Sequence, residues 1–216
     1  MVTVSRTERA ELCDLLDQLG PEAPTLCTGW STADLAAHLV VRERKLIAAA
    51  GITVPALAGS TARAMGRLRL RHSFGELVAL VRTGPPRVSP YRLPGAEAAA
   101  NTIEFFVHHE DVRRAQPGWE PRPLEPGVED VLWDQLHSRA GLMVRHSPVP
   151  LTFRRESGEE VDGRRRNDDR GLGTVTVVGR PAELVLYASG RQRVARVEQL
   201  GDDSAVAAAA QARLGT

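Results

Sequence analysis

The chain has 216 residues, 42% of them apolar and 25% charged. That suits one domain of ordinary size or two small ones, and it excludes a fibre, a coiled-coil rod or a disordered acidic tail. With 28 basic against 27 acidic residues the net charge is +1, and only 4% of residues are aromatic; neither a global basic excess nor a set of stacking platforms marks a nucleic-acid binder. The two cysteines, Cys13 and Cys27, show no CxxC or metal-finger spacing and suit reduced thiols. The first residues have no apolar signal core, and no apolar run approaches the roughly 20 residues of a membrane span. The expectation is a soluble cytoplasmic protein with no membrane or nucleic-acid partner, monomeric or homodimeric.

The first two thirds read as helices. Ser5-Arg-Thr-Glu8 has the capping-box form. Leu12, Leu15, Leu16 and Leu19 then recur at helical spacing, and Gly20-Pro21 stops the run. A second helix follows Trp30, with Ser31 as N-cap, Asp34 near its positive end and Leu35, Leu39, Leu46 and Ile47 on its apolar face, up to Gly51. Residues 52–72 read as a loop and a short basic helix with Arg63, Arg67, Arg69 and Arg71. Ser73-Phe-Gly-Glu76 is a second capping box, leading through Leu77, Leu80 and Val81 to the break at Gly84-Pro85-Pro86. A long helix spans about 96–116, and Pro126 opens another through Val131, Leu132, Leu136 and Leu142.

The character changes near Ser147-Pro148. Leu151-Thr-Phe153 and the β-branched run Leu172 to Val178 read as strands, and the polar stretch 155–171 as a hairpin with an exposed tip or a mobile loop. A short helix from Ala182 to Ala188, a strand over Arg193 to Val197 and a terminal helix from Asp203 to Leu214 complete the reading. The predicted architecture is mainly α: a four-helix bundle over 1–146, followed by a small α+β unit over 147–216.

Three of the six histidines, His72, His137 and His146, suit surface or packing roles. His38 differs, because positions three and four apart share a helix face, so Leu35, His38, Leu39 and Arg42 form one stripe. That sets an imidazole on the core side, where leaving it unpaired costs on the order of a few kcal/mol. Four positions apart, Glu104 and His108 point the same way within the apolar run Ile103 to Val107. They can pair with each other, or project inward from a bundle helix as metal ligands. Adding His38 gives two nitrogens and one carboxylate, the ligand count of a catalytic zinc site with one position open; the same set suits non-haem iron.

Cys27-Thr-Gly-Trp30-Ser-Thr-Ala-Asp34-Leu-Ala-Ala-His38-Leu39, followed by Glu104-Phe-Phe-Val-His108, resembles the DinB-like metal-binding superfamily. More narrowly, it is similar to the N-terminal domain of mycothiol-dependent maleylpyruvate isomerases and related actinobacterial metal-binding proteins. Phe106-Val-His-His-Glu-Asp-Val-Arg-Arg-Ala115 is closest to an uncharacterised subgroup. Gly179-Arg-Pro181-Ala-Glu-Leu184 and Gly190-Arg191 are similar to the small unit that follows this domain. The resemblance covers residues 1 to about 145 and, more loosely, the tail.

It implies a DinB-like bundle with His38, Glu104 and His108 holding a divalent metal, usually Zn2+. It also implies a low-molecular-weight thiol cosubstrate such as mycothiol, used for isomerisation or S-transfer on a small electrophilic, anionic substrate. A non-catalytic metal or small-ligand binding protein on the same bundle is the alternative. Asp111, three residues beyond His108, is placed to orient a ligand imidazole or to pair with Arg114 or Arg42. Arg191 is a candidate contact for an anionic substrate. His109 lies about 100° around the helix from His108; it falls outside the ligand set and stands as a candidate proton carrier. Cys27 is close to the motif, but the implied chemistry borrows an external thiol. Asp34 is explained by capping, and Arg63 to Arg71 by a solvated helix face.

Overall fold

A computed structural model describes residues 3–44, 58–86, 89, 96–163 and 173–215. The expected apolar positions Leu46, Ile47 and Gly51, and the tip of the polar stretch at 164–171, lie outside the described residues. The chain is mainly helical with one small four-stranded sheet. It divides into two compact units, Met1–Pro121 and Arg122–Thr216.

The first unit holds α1 (Val4–Leu19), α2 (Thr32–Arg44), α3 (Ala58–Arg71), α4 (Phe74–Thr83) and α5 (Ala96–Arg113). α1 packs on α4 and α5, and α2 on α3 and α4. Leu12, Leu16, Leu35, Leu39, Leu77, Val81, Phe105 and Val112 meet in one apolar cluster, at the helical spacings that put them on inward faces. α4 opens with both halves of the expected capping box: Ser73 Oγ accepts from the Glu76 N–H, and the Glu76 carboxylate accepts from the Ser73 N–H. At α2, the Asp34 carboxylate accepts from the Ser31 N–H and hydroxyl, each at 3.1 Å.

α1 departs from its predicted start. It begins at Val4 with Thr3 as N-cap, so Ser5 and Glu8 lie inside the helix and are buried rather than capping it. Capping and inward burial draw on the same spacing of polar residues, and here tertiary packing decides. α5 ends three residues early, at Arg113, in turns closed by Gly118 with φ +72°.

The second unit contains α6 (Pro126–Met143), β1 (Leu151–Arg155), β2 (Glu160–Gly163), β3 (Val175–Gly179), α7 (Pro181–Ala188), β4 (Glu198–Leu200) and α8 (Asp203–Ala210). The sheet order is β2-β1-β3-β4. β1 and β3 run parallel, while β2 and β4 pair antiparallel to their neighbours. β1 and β3 alternate buried and half-buried positions, as a sheet with one covered face requires. α7 is buried on every side, and α6 packs against it and against β2. α6 therefore belongs with the second unit, and the units divide ahead of it rather than at the change of composition near residue 146.

Two further expectations shift. Residues 192–194 form a turn, and the last strand lies at Glu198–Leu200 instead of 193–197, since Glu183 takes the Arg196 N–H at 2.8 Å and so removes it from a ladder. Leu142 is 52% exposed, because α6 turns its other side to the core through Leu132, Leu136 and Ala140. No helix among the described residues is long and apolar enough to cross a membrane.

Candidate metal centre

α2 and α5 bring the three predicted donors together. His38 Nε2 lies 3.3 Å from Glu104 Oε1, and His108 Nε2 lies 3.3 Å from the same oxygen. All three donor atoms fall within 4.8 Å of one another. Bonds of about 2.0–2.1 Å arranged tetrahedrally set neighbouring ligand atoms about 3.3–3.4 Å apart, so both measured edges match a zinc-sized ion. Among the described residues no fourth His, Cys, Asp or Glu joins this set. His38 and His108 are buried, and the Glu104 side chain keeps 24% of its exposure, so the carboxylate marks the open side.

The surroundings position each candidate ligand. His108 Nδ1 lies 2.9 Å from Asp111 Oδ2, and Asp111 is fully buried. With Nδ1–H donating to Asp111, Nε2 faces the centre, where it meets Glu104 and would offer its lone pair to a bound cation once deprotonated. The expected orienting role of Asp111 thus has the geometry it needs, while Arg114 pairs with Glu110 at 2.6 Å. The Cys27 thiol donates to the same Asp111 oxygen at 3.3 Å, and the Leu26 N–H donates to the Asp111 carbonyl at 3.0 Å. Cys27 therefore sits on the Nδ1 side of His108, grouped with Asp111 rather than closing the three-donor set. The Trp30 ring packs against His38 at 5.0 Å between centroids. His38 Nδ1 is buried with no partner among the described residues.

The electrostatics follow from this packing. Burial pushes the Glu104 pKa up, but hydrogen bonds from His108 and His38 and the Arg42 charge outweigh it and hold the carboxyl well below its ordinary range. For His108, burial pushes the pKa down, and Asp111, Cys27 and Glu104 together hold it well above that of an ordinary imidazole. His38 is lowered: burial dominates over its bond to Glu104. Arg42, one turn beyond His38, places Nε 3.1 Å from Glu104 Oε1.

The other candidates lie elsewhere. His109 Nδ1 lies 2.8 Å from the buried Glu8 of α1, with Glu11 at 3.9 Å; its partner is that carboxylate, on a different helix face from the ligand set. Arg191 belongs to the second unit, where its Nη1 donates to the Ser189 carbonyl at 2.5 Å. Gly190, just before it, has φ +86° and a backbone so close to Leu214 that a Cβ would meet the carbonyl at 2.8 Å, which explains the glycine in that pair. Asp34 caps α2 and binds Arg69 at 2.5 Å. Arg63, Arg67, Arg69 and Arg71 are exposed along α3, and His137 and His146 are exposed in the second unit. Sequence reasoning missed Arg42 and Trp30 as neighbours of the centre, although both flank His38 in the motif and Arg42 shares its stripe.

No family model and no curated protein matches the chain. Among solved structures it resembles the crystal structure of a mycothiol-dependent maleylpyruvate isomerase, at 16% identity and a TM-score of 0.56, over 94% of this chain and 97% of that one. A histidine-to-alanine mutant of that isomerase matches at 15% identity and a TM-score of 0.55, with the same coverage. At this identity the likeness is one of fold, and the chain shares the fold of that isomerase along nearly its whole length.

Proposed function

We propose that the chain is a metal-dependent enzyme that uses a low-molecular-weight thiol such as mycothiol, as isomerase or S-transferase, on a small electrophilic, anionic substrate in the cytoplasm. The observation that carries this reading is the convergence of His38 Nε2, Glu104 Oε1 and His108 Nε2 at ligand-edge spacing, with one side open. The shared fold with a mycothiol-dependent isomerase supports the thiol, and the two-histidine, one-carboxylate set supports zinc. The scaffold supports a DinB-like bundle built from the helices of the first unit.

A divalent ion held there stabilises thiolate over thiol near neutral pH, and thiolate is the nucleophile. The chain's own residues prepare for that. With a metal bound, Asp111 would hold His108 in the tautomer that leaves Nε2 to the ion. Trp30 packs on His38 and shields it from water on that side. Glu104, pinned by Arg42, keeps its partly exposed face towards the incoming ligand. A thiolate that adds to an activated double bond, permits rotation and departs gives isomerisation; one that displaces a leaving group and stays gives transfer. Both need the same ligands. Arg191 is proposed as an anion contact on the strength of its Gly-Arg context alone.

The test is metal analysis of the purified protein, with an expected stoichiometry of about one divalent ion per chain that is lost in His38→Ala and Glu104→Ala. Calorimetry of the metal-loaded protein with mycothiol then separates the readings. Binding and thiol-dependent turnover support the enzyme, whereas a metal-loaded protein with neither property is the non-catalytic binding protein.

A further inference from the structure

Behind the ligand set runs a buried polar chain that no ligand requires. Arg42 Nη1 donates to Asn101 Oδ1 at 2.5 Å, and Asn101 Nδ2 donates to Glu43 Oε1 at 3.1 Å. The Glu43 carboxylate is gripped by Nη1 and Nη2 of Arg9, at 2.7 and 2.5 Å. Arg9 in turn donates to the Val81 carbonyl at 2.9 Å and stacks over the Phe105 ring at 4.0 Å. Arg9, Glu43 and Asn101 are all buried, and Glu43 and Arg9 cancel each other's charge. What this chain delivers is one further positive charge, the Arg42 guanidinium, fixed 3.1 Å from Glu104 Oε1 and still 13% exposed beside the open carboxylate.

The balance of charge gives that placement a purpose. Among the described residues, the ion pairs of the donor set involve two carboxylates, Glu104 and Asp111, and one guanidinium, Arg42. With neutral imidazoles, a divalent ion would be cancelled by the two carboxylates alone. Arg42 adds one positive charge to that set. In a partly buried site a single excess charge decides which ligands enter, since fields there are weakly screened.

We propose that Arg42 is the specificity-determining residue of the centre: its guanidinium, held by Asn101, Glu43 and Arg9, makes the open position select small anions, carboxylate or thiolate, over neutral ligands. This rests on the metal reading above and names the group on this chain that confers the anion preference. It also implies a trade-off. The charge that attracts anions repels the metal, so Arg42 weakens metal binding while it strengthens anion binding.

The test uses the full chain loaded with Co2+, whose visible absorption reports ligand entry, titrated with azide as the anion and imidazole as the neutral ligand. In Arg42→Gln, azide affinity falls about tenfold, imidazole affinity stays within about twofold, and Co2+ affinity rises by more than tenfold, since a dication feels the loss of one unit charge about twice as strongly as a monoanion. Arg42→Lys retains most of the azide affinity. Arg42→Met carries the same test if the glutamine variant does not fold. Azide affinity that is unchanged in Arg42→Gln overturns the proposal, and so does a joint fall in azide, imidazole and Co2+ affinity, which marks a merely structural residue. A wild-type chain that binds no Co2+ overturns the metal reading itself and this inference with it; one that binds Co2+ with azide affinity independent of Arg42 overturns this inference alone.

Discussion

Asp111 is fully buried and is met by the His108 ring and the Cys27 thiol at its carboxylate and by the Leu26 N–H at its carbonyl. Asp111→Asn keeps the shape but replaces a charged acceptor with a neutral amide, so metal affinity is expected to fall about 10–100-fold. Competition against a chromophoric chelator measures it, and an unchanged affinity removes the orienting role. Cys13 makes the opposite case. Burial pushes its thiol up to about 11 from an ordinary 9.0, so thiol reagents at pH 8 should reach Cys13 only after unfolding. In the unfolded chain Cys13 ionises first. Its contribution to stability is therefore intact below pH 9 and is lost as the pH rises towards 11, by about 3 kcal/mol; urea titrations across that window check the sign. The convergence of His38, Glu104 and His108 was legible in part: helical spacing sets His38 on a core-facing stripe and Glu104 beside His108, while their reading as ligands came from the resemblance of the motif. Glu8 was not, because a buried partner for His109 and a capping acid leave the same local pattern.

At the scale of elements, the capping box of α4 offers the cleanest local test. Ser73→Ala removes an oxygen that accepts the Glu76 N–H, and should cost about 1 kcal/mol of stability, read as a lower midpoint in urea with an unchanged slope. Helix α1 warns against using such signatures alone: Ser5 and Glu8 match the same pattern and are buried inside the helix. Helices with strong apolar periodicity and a Gly or Pro stop were readable to within a few residues. The strand predicted at 193–197 was displaced because Glu183, distant in sequence, claims the Arg196 N–H, a contact that local propensity does not encode.

For the whole molecule, the division into two units sets what a single substitution can reach. Glu129 on α6 binds the Arg180 guanidinium at 2.5 Å and caps α7 through the Ala182 N–H at 2.9 Å, so it ties together elements of the second unit. Glu129→Ala should destabilise that unit by about 2 kcal/mol, read as a lower urea midpoint; an unchanged midpoint removes the tie. The boundary ahead of α6 was hidden from the sequence, since composition changes only near residue 146, whereas membership is decided by packing of α6 on α7 and β2.

Glu104, His108 and Asp111 occupy successive turns of one helix, and only His38 comes from another. Most of the centre is thus written on a single rigid rod, in a window of eight consecutive positions. One residue inserted within that window swings everything beyond it by about 100°, parting the acid from the imidazole or the imidazole from its anchor. An insertion before Glu104 or after Asp111 instead leaves these three positions in register with one another.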